Sequence, residues 1–180
     1  MTDDNQAIRR VLDGDTEGFR ILVQRYQRPV FVMIRNVIHN PADCEEIAQE
    51  VFLSAYRNLG GFDPARASFC TWLFTIARNK CFSAMRKRTA APAGNPRQRP
   101  NLTTPDASLG EKELFEALDA ALDALPPEQR TAFVLAELVG LSREQIARVE
   151  NVEIGTVRSR LSRAKGSLRS LLGQFAGGAS

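Results

Sequence analysis

A run of cations near the end of the sequence is its strongest chemical signal. The segment TVRSRLSRAKGSLR, residues 156–169, holds five basic residues and no acid. Apolar and small residues fill the spaces between the charges. Guanidinium groups bind phosphates and the major-groove edge of guanine, so this composition indicates a nucleic-acid-binding surface. The simpler alternative is the solvated basic face of an ordinary amphipathic helix.

A helix over residues 153–172 would have two different faces. At 100° per residue, one face is an apolar docking stripe, predicted to consist of Ile154, Val157, Leu161, Ala164, Leu168 and Leu171. The opposite face has small residues at its centre and arginines on its flanks: Gly155, Ser159, Ser162 and Gly166, with Arg158, Arg163 and Arg169. Small central residues allow close approach to a groove, and long flanking cations reach its phosphates.

The residues before this helix favour DNA binding over a merely solvated face. The preceding segment, LSREQIARVENVEIGTV, predicts a short helix, a turn of about four residues and then the basic helix. Ser142 and Gln145 have the spacing of a capping box, which marks the start of the short helix. Ala147 is small enough for two helices to pack closely. This order and spacing are typical of a helix-turn-helix.

The elements that position these residues are predicted to be helices throughout. Apolar residues recur at three- and four-residue steps on both sides of TAAPAGNPRQRPNLTTPDASLG, residues 89–110, which holds four of the nine prolines. We expect an all-α fold with two small domains, 1–88 and 111–180, joined by a flexible linker over 89–110. Pro29 is expected to kink or split one helix. The other predicted helices begin near Pro41 or cover 69–88, 111–124, 127–139, 142–149 and 153–172.

Composition excludes several classes of function. The net charge is only +3, so a nucleic-acid surface must come from local clustering, as in the basic run of residues 78–88. No apolar run reaches the length of about 18–20 residues that a membrane span needs. Three cysteines without metal-site spacing indicate a reduced, cytoplasmic compartment and buried thiols. The single histidine, His39, has no nucleophile or metal cluster near it. We expect neither catalysis nor a metal or other cofactor.

Two separate stretches of the sequence resemble a known family. PADCEEIAQEVFLSAYRNLGGFDPARASFCTWLFTIARNKCFSAMRKR, residues 41–88, resembles the second domain of bacterial extracytoplasmic-function (ECF) sigma factors. LDALPPEQRTAFVLAELVGLSREQIARVENVEIGTVRSRLSRAKGSLRSLL, residues 122–172, resembles their fourth domain. The resemblance implies a subunit that binds core RNA polymerase, recognises the minus-ten and minus-thirty-five promoter elements and directs initiation, in a stress or envelope-response regulon. The usual Leu-Gly before the recognition helix is here Glu150-Asn151, and Asn tolerates the left-handed conformation that Gly would adopt.

An acidic helix face is the expected polymerase-binding surface. Asp43, Glu46 and Glu50 share one face of the helix that begins near Pro41. Like charges at this spacing do not stabilise an isolated helix, so they favour a basic partner over a solvated acidic face. The resemblance implies that this face, with Gln49 and Phe52, docks on the β′ clamp helices, and that the fourth domain meets the β flap. Phe52 could equally belong to the core.

The resemblance also implies which residues contact promoter DNA. The minus-ten readers would be Phe62, Ser68, Phe69, Trp72, Asn79 and Lys80, with Arg86, Lys87 and Arg88 on the phosphates of the upstream duplex. A flipped base needs a pocket, an aromatic platform and a polar edge, although Trp72 is as compatible with a core position. The minus-thirty-five readers would be Thr156, Arg158, Ser159, Ser162 and Arg163. The helical wheel selects the last four independently.

Two alternatives and one further partner complete the sequence-based expectations. A response regulator with a helix-turn-helix would explain the C-terminal part but not the acidic and aromatic–basic helices before it. An enzyme would need a catalytic cluster, which the sequence lacks. The resemblance implies an anti-sigma protein that covers the polymerase- and DNA-binding faces.

Overall fold

The computed structural model describes residues 3–38, 40–89 and 117–176. Within those ranges the protein is helical and contains no strand, which confirms the predicted fold class. The N-terminal domain has α1 (Asp3–Leu12), α2 (Glu17–Val37), α3 (Pro41–Asn58), a 3₁₀ turn (Leu59–Gly61) and α4 (Phe69–Thr89). The C-terminal domain has α5 over 117–123, α6 (Pro127–Phe133), a π-helical turn (Val134–Leu138), α7 (Arg143–Glu150) and α8 (Ile154–Ala176). His39, most of the predicted linker and residues 111–116 lie outside the described residues.

Local sequence signals set the helix boundaries as expected. The Asn40 side chain accepts a hydrogen bond from the amide of Ala42 at 2.9 Å, and Pro41 occupies the first turn of α3. Both hydrogen bonds of the predicted capping box join Ser142 and Gln145 at the start of α7. Asn151 ends α7 with φ of 53°. It therefore adopts the left-handed conformation for which the sequence analysis selected it.

Two features of the N-terminal domain refine the expectation. Of the two outcomes predicted for Pro29, a kink or a split, the split does not occur, because α2 runs unbroken from Glu17 to Val37. Val30, Met33 and Ile34, which follow the proline, are buried, and this packing offsets the loss of one backbone hydrogen bond. The sequence analysis also missed α1. A Cβ atom at Gly18 would collide with the carbonyl oxygen of Ala7, so glycine is needed where α1 crosses α2.

The two domains pack against each other rather than standing apart. One apolar cluster contains Leu22, Met33 and Phe74 of the N-terminal domain together with Leu135 and Ile146 of the C-terminal domain. A smaller cluster joins α5 to α8 within the C-terminal domain. Because one core extends across both domains, their relative placement is fixed by burial of apolar surface.

Buried arginines add polar contacts to this interdomain surface. Arg35, at the end of α2, is 3% exposed and its guanidinium lies 3.0 Å from the Asp119 carboxylate of α5. Arg130 of α6 donates a hydrogen bond to the Asn36 carbonyl oxygen at 3.1 Å. Arg130 also donates to the Asp123 carboxylate at 2.9 Å. The end of α2 is thereby tied to the first helices of the C-terminal domain.

Candidate nucleic-acid and protein-binding surfaces

The apolar stripe of α8 docks on the C-terminal domain much as predicted. Val157, Leu161, Ala164 and Leu168 are buried, whereas Leu171 is wrong as a docking residue because its side chain is 45% exposed. Leu172 packs on the smaller cluster instead. Leu172 is four residues beyond Leu168 and continues the line of Ala164 and Leu168, whereas Leu171 falls at the edge of that line.

The opposite face of α8 is open along its length. Arg158, Ser162 and Arg163 are exposed, while Thr156 and Ser159 are half-buried. The Ser159 hydroxyl donates to the Thr156 carbonyl oxygen at 2.9 Å, so it is already engaged within the helix. A Cβ atom added at Gly155 or Gly166 would meet nothing within 4 Å. This face therefore leaves room for a DNA groove to approach the helix closely, with the arginines projecting on either side.

Three aromatic rings form the centre of the predicted minus-ten surface. Phe62 lies 5.3 Å from Trp72 between ring centroids, and Phe69 lies 5.8 Å from each of them. Phe69 is only 2% exposed, so in this conformation it supports the other two rings and offers no platform to a base. Phe62 and Trp72 are half-buried. The choice between core and platform for Trp72 is therefore not exclusive.

A groove between α3 and α4, of about 770 Å³, brings two predicted sites together. We call it the mixed-charge groove. Its α4 side carries Trp72, Asn79, Lys80 and Lys87, and its α3 side carries Asp43, Glu46 and Glu50. The Lys80 ammonium lies 3.0 Å from the Glu50 carboxylate. Part of the positive charge expected to meet the acidic face of α3 is therefore supplied by α4 of the same chain.

The remaining predicted residues of α3 face a different groove. Gln49 and Phe52 line an apolar groove of about 920 Å³ between α2 and α3, with Phe19, Phe31, Leu53 and Tyr56. Phe52 both lines this groove and packs against the core, so its position is compatible with either of the roles considered for it. The sequence analysis missed Leu53 and Tyr56, which are 51% and 43% exposed. Large apolar residues at positions 52, 53 and 56, beside Gln49, were the available signal.

The loop before α4 is held by polar contacts, some of them from the C-terminal domain. Ser68 lies at the start of α4, where its hydroxyl accepts from the Thr71 amide at 3.2 Å. Gln145 of α7 donates to the same hydroxyl at 3.4 Å. Arg148 donates to the Arg66 carbonyl oxygen at 3.3 Å. At the other end of α4, Arg86 and Lys87 are exposed, and the Arg88 side chain lies outside the described residues.

Glu150 is a buried carboxylate between the two domains. Its side chain is 3% exposed and lies 3.5 Å from the Arg78 guanidinium of α4 and 3.0 Å from that of Arg160 in α8. Burial raises the pKa of Glu150, and the two arginines lower it without cancelling the effect of burial. The sequence analysis noted Glu150 as a departure from the family but did not predict its burial.

Thiol, metal and membrane chemistry find little support in the described part of the chain. Cys44 and Cys81 are buried and Cys70 is half-buried. Burial raises the pKa of Cys81 to about 12 and that of Cys70 to about 11, so both remain protonated and weakly nucleophilic at neutral pH.

Among the residues that the structure describes, no group of three His, Cys, Asp or Glu side chains converges as a metal site. None of the described helices is long and apolar enough to cross a membrane.

Comparison with known proteins agrees with this geometry. The family models described as Sigma-70 region 2 and Sigma-70, region 4 match residues 22–91 and 115–168. The chain is 32% identical to the RNA polymerase sigma-H factor of Pseudomonas aeruginosa, covering 94% of this chain and 93% of that protein. It belongs to the ECF sigma factor family. The ECF RNA polymerase sigma-E factor of Escherichia coli K12 is also 32% identical, with 90% of each chain covered.

Solved structures of sigma factors share the fold. The sigma factor RpoE of Bartonella quintana, solved with the anti-sigma factor NepR, is 26% identical with a TM-score of 0.74, covering 86% of this chain and 96% of that one. CnrH, solved with the cytosolic domain of CnrY, is 25% identical with a TM-score of 0.70, covering 95% of each chain. This sigma factor is a transcription initiation protein and not an enzyme.

Proposed function

We propose that this sigma factor reads the minus-thirty-five promoter element with the exposed face of α8. The supporting observation is that Arg158, Ser162 and Arg163 point outward on a face whose glycines meet no neighbouring atoms. Arginines at this position can pair with guanine in the major groove or clamp phosphates. Thr156 and Ser159 supply shorter contacts near the start of the helix. DNase footprinting of polymerase reconstituted with this chain tests the assignment through protection of the upstream element.

The minus-ten element is assigned to the rim between the aromatic rings and the mixed-charge groove. Phe62 and Trp72 are half-buried beside it, and Asn79 and Lys80 bring polar and cationic groups to its edge. Phe69 serves beneath them as a buried support, and Ser68 holds the start of α4. Arg86, Lys87 and Arg88 then follow the duplex phosphates. Permanganate footprinting of melted thymines, with Asn79→Ala compared with wild type, tests this assignment.

Core RNA polymerase is assigned to α3. Asp43, Glu46 and Glu50 present negative charge on one side of this helix, and Gln49 and Phe52 present amide and apolar surface on the other. Charge complementarity accelerates and orients such an association. Glu46→Lys should abolish co-purification with core polymerase, whereas Asp13→Lys, the same charge change in the exposed turn after α1, should leave it unchanged. Full binding by Glu46→Lys would move the anchor away from this face.

An anti-sigma protein is the expected regulator, and the apolar groove between α2 and α3 supports it. Leu53 and Tyr56 leave apolar surface exposed there, and such surface usually marks a protein contact. A relative of similar fold was solved with an anti-sigma factor. Pull-down of the tagged chain from resting cells should return a partner besides polymerase. Controlled expression followed by RNA sequencing should show a stress or envelope-response regulon.

A further inference from the structure

The C-terminal domain contacts the start of α4 and the loop before it, at the edge of the proposed minus-ten surface. Helix α7 packs on α4, and its Gln145 and Arg148 bind the loop that carries Phe62 and Ser68. We call this arrangement the closed form. A helix in that position competes with a nucleic-acid strand for the Ser68 hydroxyl and the Arg66 backbone.

Glu150 is an unfavourable residue for the closed form on local grounds. It is the last residue of α7, where a negative charge opposes the helix dipole. It is buried, and the nearest donor to its Oε1 atom is the Arg78 guanidinium at 3.5 Å, which is long for a hydrogen bond. A buried carboxylate must be compensated by a partner, or it destabilises the arrangement that buries it.

The two arginines near Glu150 offset its buried negative charge in different ways. Arg160 belongs to α8 of the same domain and stays with Glu150 when the domains separate. Arg78 belongs to α4, so its contact exists only in the closed form. The Arg78 guanidinium is 25% exposed and stacks on Phe82 at 4.6 Å, and its contact with Glu150 is a long approach of 3.5 Å. Arg78 is therefore open to competition from an external anion.

We propose that Arg78 and Glu150 form a releasable latch, in which neutralisation of the buried Glu150 carboxylate by Arg78 adds to the shared apolar core in holding the C-terminal domain on α4. Arg78 begins the basic run of α4 that continues through Lys80 and Arg86. The anion that fits this run is a nucleic-acid phosphate. When a phosphate takes Arg78, Glu150 is left as a buried charge with one partner fewer, and the closed form opens. The raised pKa of Glu150 agrees with this, because it shows that burial is only partly compensated.

Hydrogen–deuterium exchange of the full chain, followed by mass spectrometry of peptides from α7 and from residues 62–68, tests the latch. In wild type both peptides should be protected. Arg78→Gln should speed their exchange at least several-fold, whereas Glu150→Gln should leave them as protected as in wild type or more so. The double variant should return to the wild-type level, because loss of Arg78 matters only while Glu150 is charged. Arg57→Gln, an exposed arginine of α3, is the matched control.

Three results would overturn the latch. They are an unprotected loop in wild type, full protection in Arg78→Gln, and a double variant as open as Arg78→Gln. Unchanged exchange in α3 and an unchanged circular-dichroism melt separate opening from unfolding. Mixed-sequence single-stranded DNA should open α7 in wild type at a concentration that leaves Glu150→Gln closed, and equal responses would refute release through Arg78. Because the comparison of variants uses neither polymerase nor DNA, its outcome is independent of the proposed promoter contacts, and only the DNA titration rests on the proposed function of α4.

Discussion

The Lys80 ammonium lies 3.0 Å from the Glu50 carboxylate and joins the proposed DNA-binding helix to the proposed polymerase-binding helix. The two side chains are 34% and 49% exposed, so solvent screens the pair and it contributes only about 0–1 kcal/mol to stability. Such a pair can be exchanged for contacts with partners at little cost. Its position suggests that Lys80 and Glu50 pair with each other in the free protein. They would then exchange this pairing for contacts with DNA and polymerase.

Replacing Lys80 should therefore separate the two functions. We expect Lys80→Gln to weaken binding of single-stranded minus-ten DNA by the reconstituted polymerase, because a cation at the edge of the groove is lost. Binding of core polymerase should be unchanged or stronger, because Glu50 is no longer neutralised. Fluorescence anisotropy measures both affinities. Lys165→Gln, which removes a lysine paired with Glu137 at 2.8 Å in the other domain, is the control. Weaker polymerase binding by Lys80→Gln would contradict this account.

The apolar groove can be tested through its most exposed residue. Leu53 is 51% exposed, so Leu53→Glu should change the free energy of unfolding by no more than about 0.5 kcal/mol. A charge buried against a protein partner should nevertheless lower the affinity for core polymerase at least tenfold, as measured by surface plasmon resonance. Leu171→Glu, at a leucine of α8 with 45% exposure, is the matched control. Equal affinities of both variants and wild type would show that the groove does not dock core polymerase.

The arginines of α8 distinguish base contacts from phosphate contacts. Arg158→Ala and Arg163→Ala should each cost roughly 1–3 kcal/mol at the cognate minus-thirty-five element if the contact is to a base. A phosphate contact would instead lower the salt slope of binding by about one and leave base preference unchanged. Arg57→Ala, at an exposed arginine of α3 in the other domain, should do neither. If both variants gave the footprints and salt slopes of wild type, α8 would not be the helix that contacts the minus-thirty-five element.

Asn151 predicts a stability difference that depends on backbone conformation alone. Because its φ is 53°, Asn151→Val should destabilise the protein by about 1–2 kcal/mol, whereas Asn151→Gly should be close to neutral. Differential scanning calorimetry should show a lower Tm only for the valine variant. A valine variant as stable as wild type would mean that the turn before α8 can change its conformation freely.

The closed form should also depend on pH. Burial raises the pKa of Glu150 in the closed form, Arg78 and Arg160 lower it, and Glu128 raises it further. The closed form therefore binds a proton more tightly than the open form. Its stability relative to the open form is greatest at acidic pH and declines as pH rises through the raised pKa of Glu150. Small-angle X-ray scattering should show the radius of gyration of wild type increasing over that range. In Glu150→Gln the same titration should be flat, and an equal increase there would assign the effect to other groups.

The features predicted correctly from the sequence are those fixed by neighbouring residues. The capping box at Ser142, the start of α3 at Pro41 and the left-handed Asn151 each depend on one turn of chain. The outward face of α8 followed from helical periodicity. These features need no knowledge of what packs against them.

The features that were missed or left open depend on contacts between distant parts of the chain. Whether Pro29 splits α2 was left open, because it depends on burial of the surrounding residues against other helices. The burial of Glu150 requires α4 and α8 to bring Arg78 and Arg160 to it. Likewise, Leu53 and Tyr56 become a groove only when α2 packs beside α3. The periodicity of one helix does not show which residues of another helix will pack against it.

Run-off transcription with purified core RNA polymerase on fragmented genomic DNA tests the central claim most directly. The account predicts that core polymerase with this chain produces discrete transcripts from templates that core alone does not use. Those transcripts should decline when Glu46→Lys or the double substitution Arg158→Ala with Arg163→Ala replaces wild type. An identical transcript profile with and without the chain, under conditions where a control sigma factor is active, would contradict the assignment of this chain as an initiating sigma factor.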